Sequence, residues 1–291
     1  MKNQIIRKID NQYQLLDYLI DVLSFNKTKA KAMLVHRCIL INNKIVTKYN
    51  YVLHQNDEII INLMPNSSNI NTSIDIIYED NDFIAINKPA GLLSISTNKE
   101  KDKTAYHLVR EYLNNKYEKI FILHRLDKDT SGVLVFVKNQ DLKIKLQENW
   151  QNYVLKRCYY GIVDGKFNND NGHLEYYLKE NKNSIVFVSK KNDKLAKLAI
   201  TDYQVIKSND KYSLLDISIK TGRKNQIRVS FAQINHPIVS DIKYGRKDKN
   251  LNRLALHAYK IEFINPINNR KYCFEAKIPK EFNKLMNNEV K

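Results

Sequence analysis

The sequence predicts an α+β protein, mixed α/β in detail, built in two parts. Three observations carry this. Short amphipathic helices and strands crowd residues 12–63, a polar stretch follows, and from residue 74 strand-like runs outnumber helices. The 291-residue length allows one large domain or two smaller ones. The boundaries read as 12–63 for the small part, 64–73 for a linker and 74–291 for the large part.

In YQLLDYLIDVL (13–23), Leu15, Leu16, Leu19, Ile20 and Leu23 recur at helical spacing. KTKAKAMLVH (27–36) is a second helix with Ala30, Met33 and Leu34 on one side. A strand, a tight turn at Asn42-Asn43 and a second strand come next, then the strand EIIINL (58–63). The polar run Pro65-Asn66-Ser67-Ser68-Asn69 is the linker signal.

In the large part, IDIIYED and DFIAINKP are strands joined by an acidic turn. TAYHLVREYL (104–113) is helical, GVLVFVK (132–138) is a strand buried on both faces, and DLKIKLQENWQN (141–152) is a helix that Trp150 anchors to the core. Strands follow at 155–163, 173–179, 184–188, 198–206 and 212–219. A helix at 224–234 and strands near 255–264 and 271–278 complete the series. No internal repeat is present.

Composition removes several classes. No stretch approaches ~20 uninterrupted apolar residues, so no membrane span is expected. MKNQIIRKIDNQYQ has no apolar leader core, and the reducing cytoplasm is the expected compartment. Cys38, Cys158 and Cys273 are too scattered for a disulfide framework or a zinc ribbon, and no metal site is expected. Neither a GxGxxG nor a GxxxxGK[ST] phosphate loop occurs. The net charge of +17 points to a polyanion, a nucleic acid or an acidic membrane surface. An A+T-rich genome would also enrich Lys, Asn and Ile and deplete Gly and Pro, so charge alone does not decide.

The basic residues concentrate early. Lys27, Lys29, Lys31, Arg37, Lys44 and Lys48 lie between Asn26 and Lys48 with no acidic residue among them. Lys27 and Lys31, four apart, share a helix face away from the apolar stripe. A phosphate backbone would supply the missing counter-charge. The element order of residues 12–63 resembles the S-four-like RNA-binding domain, with Asn42-Asn43 standing at its usual Asn-Gly turn. Asn tolerates positive φ, so the turn is expected to form. The resemblance implies Lys27, Lys31 and Arg37 as RNA contacts.

The segment HRLDKDTSG (124–132) holds the densest chemistry. Asp127 and Asp129 share a side of an extended segment, ~7 Å apart along the chain. By residue types alone this fits a metal pair lacking a third ligand, a glycosidase carboxylate pair, a single nucleophilic Asp, or a plain polar loop.

HRLDKDTSG resembles, without a break, the signature of the RluA-type (RluC/RluD-like) pseudouridine synthases. INKPAGLLSIS (86–96), RCYYGIVDG (157–165), TGRKNQIRVSFAQINHPIVSDIKYG (221–245) and RLALHAYKIEF (253–263) resemble that family's other motifs, in order. The resemblance implies a central, mostly antiparallel bent sheet flanked by helices and loops. It implies isomerisation of uridine to pseudouridine in RNA, large-subunit ribosomal RNA ahead of transfer RNA, by a monomer needing no cofactor.

Roles follow from the matched positions. Asp127 matches the essential carboxylate. Arg228 matches the arginine paired with it, expected to hold the carboxylate ionised and to aim it with a bidentate fork. Tyr159 matches the tyrosine that stacks on the target base, and Arg125 the residue that fills the gap left by the flipped nucleotide. His124 and Leu126 support the loop, and Ile227 packs near the base. Lys88, Pro89 and Gly91 shape a loop, and Gly222 supplies backbone freedom. Asn225, Ser230 and Ser240 depart from the family pattern, and none is expected to touch Asp127, Tyr159 or Arg228.

Overall fold

In the computed structural model, the described residues are 4–35, 38–62, 74–97, 100, 103–113, 119–167 and 169–287. The expected linker, 64–73, lies outside them, as does Arg37. The chain divides into two compact units, Met1–Ser73 with Arg110–Glu118, and Ile74–Val109 with Lys119–Lys291.

In the first unit β1 (Gln4–Lys8) precedes β2 (Tyr13–Gln14), α1 (Leu15–Asp17) and a π-helical turn at Tyr18–Val22. Helix α2 (Lys27–Val35) and strands β3 (Ile39–Ile41), β4 (Lys44–Ile45), β5 (Val52–Leu53) and β6 (Glu58–Asn62) follow. One sheet has the order β1-β6-β3-β4, and β2 pairs with β5. Strand β1 was not expected from the sequence. It lies before residue 12, yet it pairs antiparallel with β6 from Gln4 to Lys8. Most of its residues are exposed, so no apolar alternation betrays it. Leu15, Leu19, Ala30, Met33 and Leu34 enter one core with Ile39, Ile59 and Ile61, as the helical spacing requires. Asn42 and Asn43 take φ of 48° and 63°, and the expected turn forms.

The second unit opens with β7 (Asp75–Glu79) and β8 (Phe83–Lys88), then α3 (Ala105–Leu113), whose residues from Arg110 on belong to the first unit, and then β9 (Phe121–Ile122) and β10 (Ser131–Val137). Next come α4 (Gln140–Glu148), α5 (Trp150–Tyr153), β11 (Val154–Asp164), β12 (Asn171–Glu180), β13 (Val186–Ser189), β14 (Lys197–Ser208) and β15 (Tyr212–Ile219). Helix α6 (Gln226–Gln233), β16 (Leu256–Ile264), β17 (Lys271–Glu275) and α7 (Lys280–Met286) complete it.

An 11-stranded sheet runs β13-β12-β14-β15-β11-β16-β10-β8-β7, with β17 on β16 and β9 on β10. It is antiparallel except where β10 meets β16 at Ser131 and Gly132. Strand β10 is buried throughout, which its unbroken apolar run demands. Helix α4 covers it with Leu142 and Leu146, and Asn139 caps that helix by accepting from the Asp141 and Leu142 amides. Phe83, Phe263, Tyr272 and Phe274 form an aromatic cluster in the same core.

Gly132 and Gly222 differ in what a side chain would meet. Gly132 has φ of 113°, and a Cβ there would lie 2.1 Å from the Ala258 carbonyl oxygen, so β10 and β16 meet only across a bare backbone. Gly222 does not adopt a left-handed conformation, so the expected backbone freedom is not what it supplies. A Cβ there would sit 2.6 Å from Nη1 of Arg157, the far end of a flexible side chain that can move aside.

Candidate active site

The HRLDKDTSG loop enters β10 from a cleft of ≈ 860 Å³ in the second unit. His124, Arg125, Leu126, Asp127, Tyr159, Ile227 and Arg228 all line it, so seven residues from three sequence segments converge as expected. Asp129 is not among the lining residues. Its charge acts on Arg253 and, together with that of Asp127, on Lys88.

The loop is held from below. The Lys88 side chain is fully buried, and its ammonium donates to the carbonyls of Pro89, Lys128 and Leu92 at 3.1, 3.0 and 2.7 Å. Burial lowers the Lys88 pKa to about 7. The Ser94 hydroxyl donates to the Leu126 carbonyl at 2.7 Å and accepts the Leu126 amide at 3.1 Å. The loop-shaping role expected for Lys88 therefore holds. Ser94 was not singled out by sequence, because an isolated Ser in an apolar run carries no chemical signal.

Arg228 departs from its expected geometry. Its Nε and Nη2 donate to the two oxygens of Asp241, both at 2.7 Å. Only Nη1 reaches Asp127, at 3.4 Å. The bidentate fork thus belongs to Asp241, whose side chain is fully buried, and Asp127 receives a single longer bond. Asp127 is not held at a depressed pKa. Burial pushes its carboxyl above the usual range, with Asp241 adding to the rise, and the charges of Arg228 and Lys243 offset only part of it.

Asn225 also departs from expectation, because it touches Asp127. It caps α6 in a left-handed conformation, φ 52°. The surrounding donors and acceptors place its amide nitrogen toward Asp127, 2.7 Å from Oδ2 and 3.2 Å from Oδ1. Its oxygen then accepts from Lys243 Nζ at 3.2 Å and from the Tyr244 hydroxyl at 2.9 Å. Of the other departures, Ser240 adopts φ 57° and bonds the Leu251 carbonyl, away from the three named residues.

Gln226 locks the start of α6. Its oxygen accepts from the Thr221 hydroxyl and the Arg223 amide at 2.8 and 3.0 Å, and its nitrogen donates to the Ile200 carbonyl and Thr201 hydroxyl. Every polar atom of a buried amide is thereby matched.

Tyr159 sits on β11 where the register with β16 shifts between Cys158 and Tyr159. Such a bulge re-aims a side chain. Burial pushes the Tyr159 phenol up to about 12, Asp127 adds to the rise, and Arg157 opposes it. His124 accepts the Val135 amide at 3.3 Å, and burial lowers its pKa to about 3, so it is a neutral loop support. Leu126 and Ile227 are buried apolar walls, and Arg125 is exposed at the cleft. Trp150 does more than anchor the core. It lines the cleft with the Arg157 guanidinium 5.4 Å over its ring.

In the first unit, Lys27 and Lys31 are exposed on α2, while Ala30, Met33 and Leu34 are buried.

A recessed carboxylate, an aromatic platform and a rim of arginines over a large mixed sheet define an enzyme fold shared with known pseudouridylate synthases. The human RNA pseudouridylate synthase domain containing 1 superposes with a TM-score of 0.58 at 21% identity, over 73% of this chain and 86% of its own. The family model for RNA pseudouridylate synthase matches residues 82–233, and the S4 domain model matches 15–59. The chain belongs to the RNA pseudouridylate synthase family, isomerases acting on RNA. Among its relatives is the Mycoplasma pneumoniae protein named uncharacterized RNA pseudouridine synthase MG209 homolog, 30% identical over 94% of this chain and 92% of that one. The ribosomal large subunit pseudouridine synthase D of Borreliella burgdorferi is 36% identical over 84% and 79%. The tRNA pseudouridine synthase C of Vibrio parahaemolyticus is 31% identical over 73% and 93%.

Proposed function

We propose that this enzyme isomerises uridines of large-subunit ribosomal RNA, with Asp127 as the catalytic carboxylate. The observation that carries the assignment is Asp127 itself, recessed among donors from a distant helix and placed beside Tyr159. The reaction breaks the uridine N1–C1′ bond, turns the base and rejoins it through C5, whose proton is lost. An ionised Asp127 serves either route to cleavage, attack on C1′ or removal of the C2′ proton. Tyr159, protonated at neutral pH, stacks on the base, and Ile227 and Leu126 supply apolar walls. Arg125, exposed and planar, takes the place of the nucleotide drawn out of its strand.

The 36% identity to a ribosomal large subunit pseudouridine synthase, against 31% to the transfer RNA relative, supports ribosomal RNA as the substrate. The added unit, residues 12–63, with Lys27, Lys31 and Arg37, binds RNA outside the cleft. The enzyme works as a cytoplasmic monomer. Among the described residues no helix is long and apolar enough to cross a membrane.

The test is incubation with unmodified large-subunit ribosomal RNA and, in parallel, transfer RNA, followed by chemical mapping. New pseudouridine at discrete ribosomal positions, lost in Asp127→Ala, is the expected result. An isomerase leaves nucleoside mass unchanged while retention shifts. Modification confined to transfer RNA would overturn the substrate, and activity in Asp127→Ala would overturn the catalytic assignment.

A further inference from the structure

We propose that Asn225 is the positioning residue of the catalytic carboxylate, and that Lys243 and Tyr244 lock its amide with the N–H edge facing Asp127. This rests on the reading of Asp127 as the catalytic group.

With Nε and Nη2 committed to Asp241, Arg228 reaches Asp127 only through Nη1, at 3.4 Å, while the Asn225 amide nitrogen lies at 2.7 Å. Asn225 is therefore the nearer donor. Its orientation is set from behind. The Tyr244 hydroxyl accepts the Val186 amide at 3.0 Å, which leaves its own proton for the Asn225 oxygen. Lys243 donates to the Ser184 carbonyl at 2.8 Å and to the same Asn225 oxygen. Turning the amide over would gain one bond to its oxygen from Arg228 Nη1 at 3.3 Å, but it would set that oxygen against the carboxylate and its N–H edge against an ammonium. Two repulsive contacts outweigh one long bond, so the N–H edge faces Asp127.

The backbone makes this possible. Asn225 is 8% exposed at φ 52°, and Asn is among the few non-glycine residues that enter the left-handed region at low cost. A residue at this cap points its side chain back over the first turn of α6, beside Arg228. A neutral donor aims the carboxylate without neutralising it, whereas a second bidentate cation would hold it in a closed ion pair.

The charged and titratable groups acting on Asp127 are Arg228, Lys243, Asp241, Lys88 and Tyr159. Loss of the Asn225 amide removes the donor to Asp127 and also one acceptor of Lys243, and the Lys243→Gln background separates the two effects.

The test uses Asn225→Gly, which keeps the left-handed cap and deletes only the amide. A hydrogen bond to a charged group is worth enough that kcat falls about 10- to 100-fold. KM for the same RNA stays within about threefold, because the bond is made to the enzyme's own carboxylate. The acid limb of the kcat profile moves up by about one pH unit. Lys243→Gln, at an exposed residue, moves the limb the same way by less, and adds less in the Asn225→Gly background than in the wild type. Wild-type kcat and an unmoved acid limb in Asn225→Gly, with Asp127→Ala inactive, overturn the positioning role alone. Activity in Asp127→Ala instead fails the catalytic assignment. Should Asn225→Gly not fold, Lys243→Gln decides, and an unmoved limb there counts against the proposal.

Discussion

Arg228 and Asp241 form a closed pair, with Nε and Nη2 of the guanidinium on the two carboxylate oxygens at 2.7 Å each. Asp241 also accepts the amides of Lys243 and Tyr244, at 2.9 and 3.1 Å, so one buried carboxylate organises both the arginine and the segment that fixes Asn225.

Asp241→Asn leaves Arg228 buried beside a neutral partner. Removing one member of a buried pair costs about 3 kcal/mol or more, read as a lower midpoint in urea unfolding. Asp241 also helps to hold the Asp127 carboxyl above its usual range. The acid limb of kcat in Asp241→Asn is therefore expected at lower pH than in the wild type, even as kcat itself falls.

Gly132→Ala tests the junction of the catalytic loop with β10. A methyl 2.1 Å from the Ala258 carbonyl oxygen, on a residue at φ 113°, forces the two strands apart. The expected loss is about 4 kcal/mol or more, seen as a large drop in thermal midpoint or failure to accumulate as soluble protein.

His257 links stability to pH. It is 1% exposed, its Nδ1 lies 2.7 Å from the Ser131 hydroxyl, and burial lowers its pKa to about 4. An unfolded histidine titrates near ~6.5. Between those values the unfolded chain binds the extra proton, so stability is full above ~6.5 and declines as pH falls toward the folded value. The His257 contribution that disappears over that window is about 3 kcal/mol. His257→Asn should show a flatter decline across the same range in urea melts.

Lys27→Glu with Lys31→Glu tests the first unit. Binding to long RNA should weaken, and the log–log salt slope should shrink by about 0.7 for each single-strand phosphate that is no longer neutralised. Turnover on a short substrate that fills only the cleft should be retained. Equal loss on both substrates would show that the unit acts on the cleft itself.

The site was legible where residue types are unusual and contiguous. HRLDKDTSG, the Tyr-bearing strand and the Arg of α6 were recognisable as strings, and the fold brings them to one cleft. Most strands declared themselves by apolar runs, β10 most plainly. What sequence could not show was the partition of Arg228 between two carboxylates, because Asp127 and Asp241 are equally acidic on paper and only packing decides which takes the fork. Nor could it show the reach of Asn225, which depends on a φ of 52° and on Lys243 and Tyr244 arriving from a later segment of the chain. Strand β1 was invisible because a solvent-facing edge strand has no apolar period to display.

Among the described residues, every non-glycine position at positive φ is Asn or Ser: Ser24, Asn42, Asn43, Asn56, Ser184, Asn225, Asn235, Ser240 and Asn269. A chain with only seven glycines has filled these reverse bends with asparagine, which tolerates the left-handed region, and with serine, each under slight torsional stress. Of these residues only Asn225 lines the catalytic cleft, so the protein carries a distributed reserve for thermal hardening. Glycine installed at Asn56 or Asn269 would relieve that stress without disturbing catalysis.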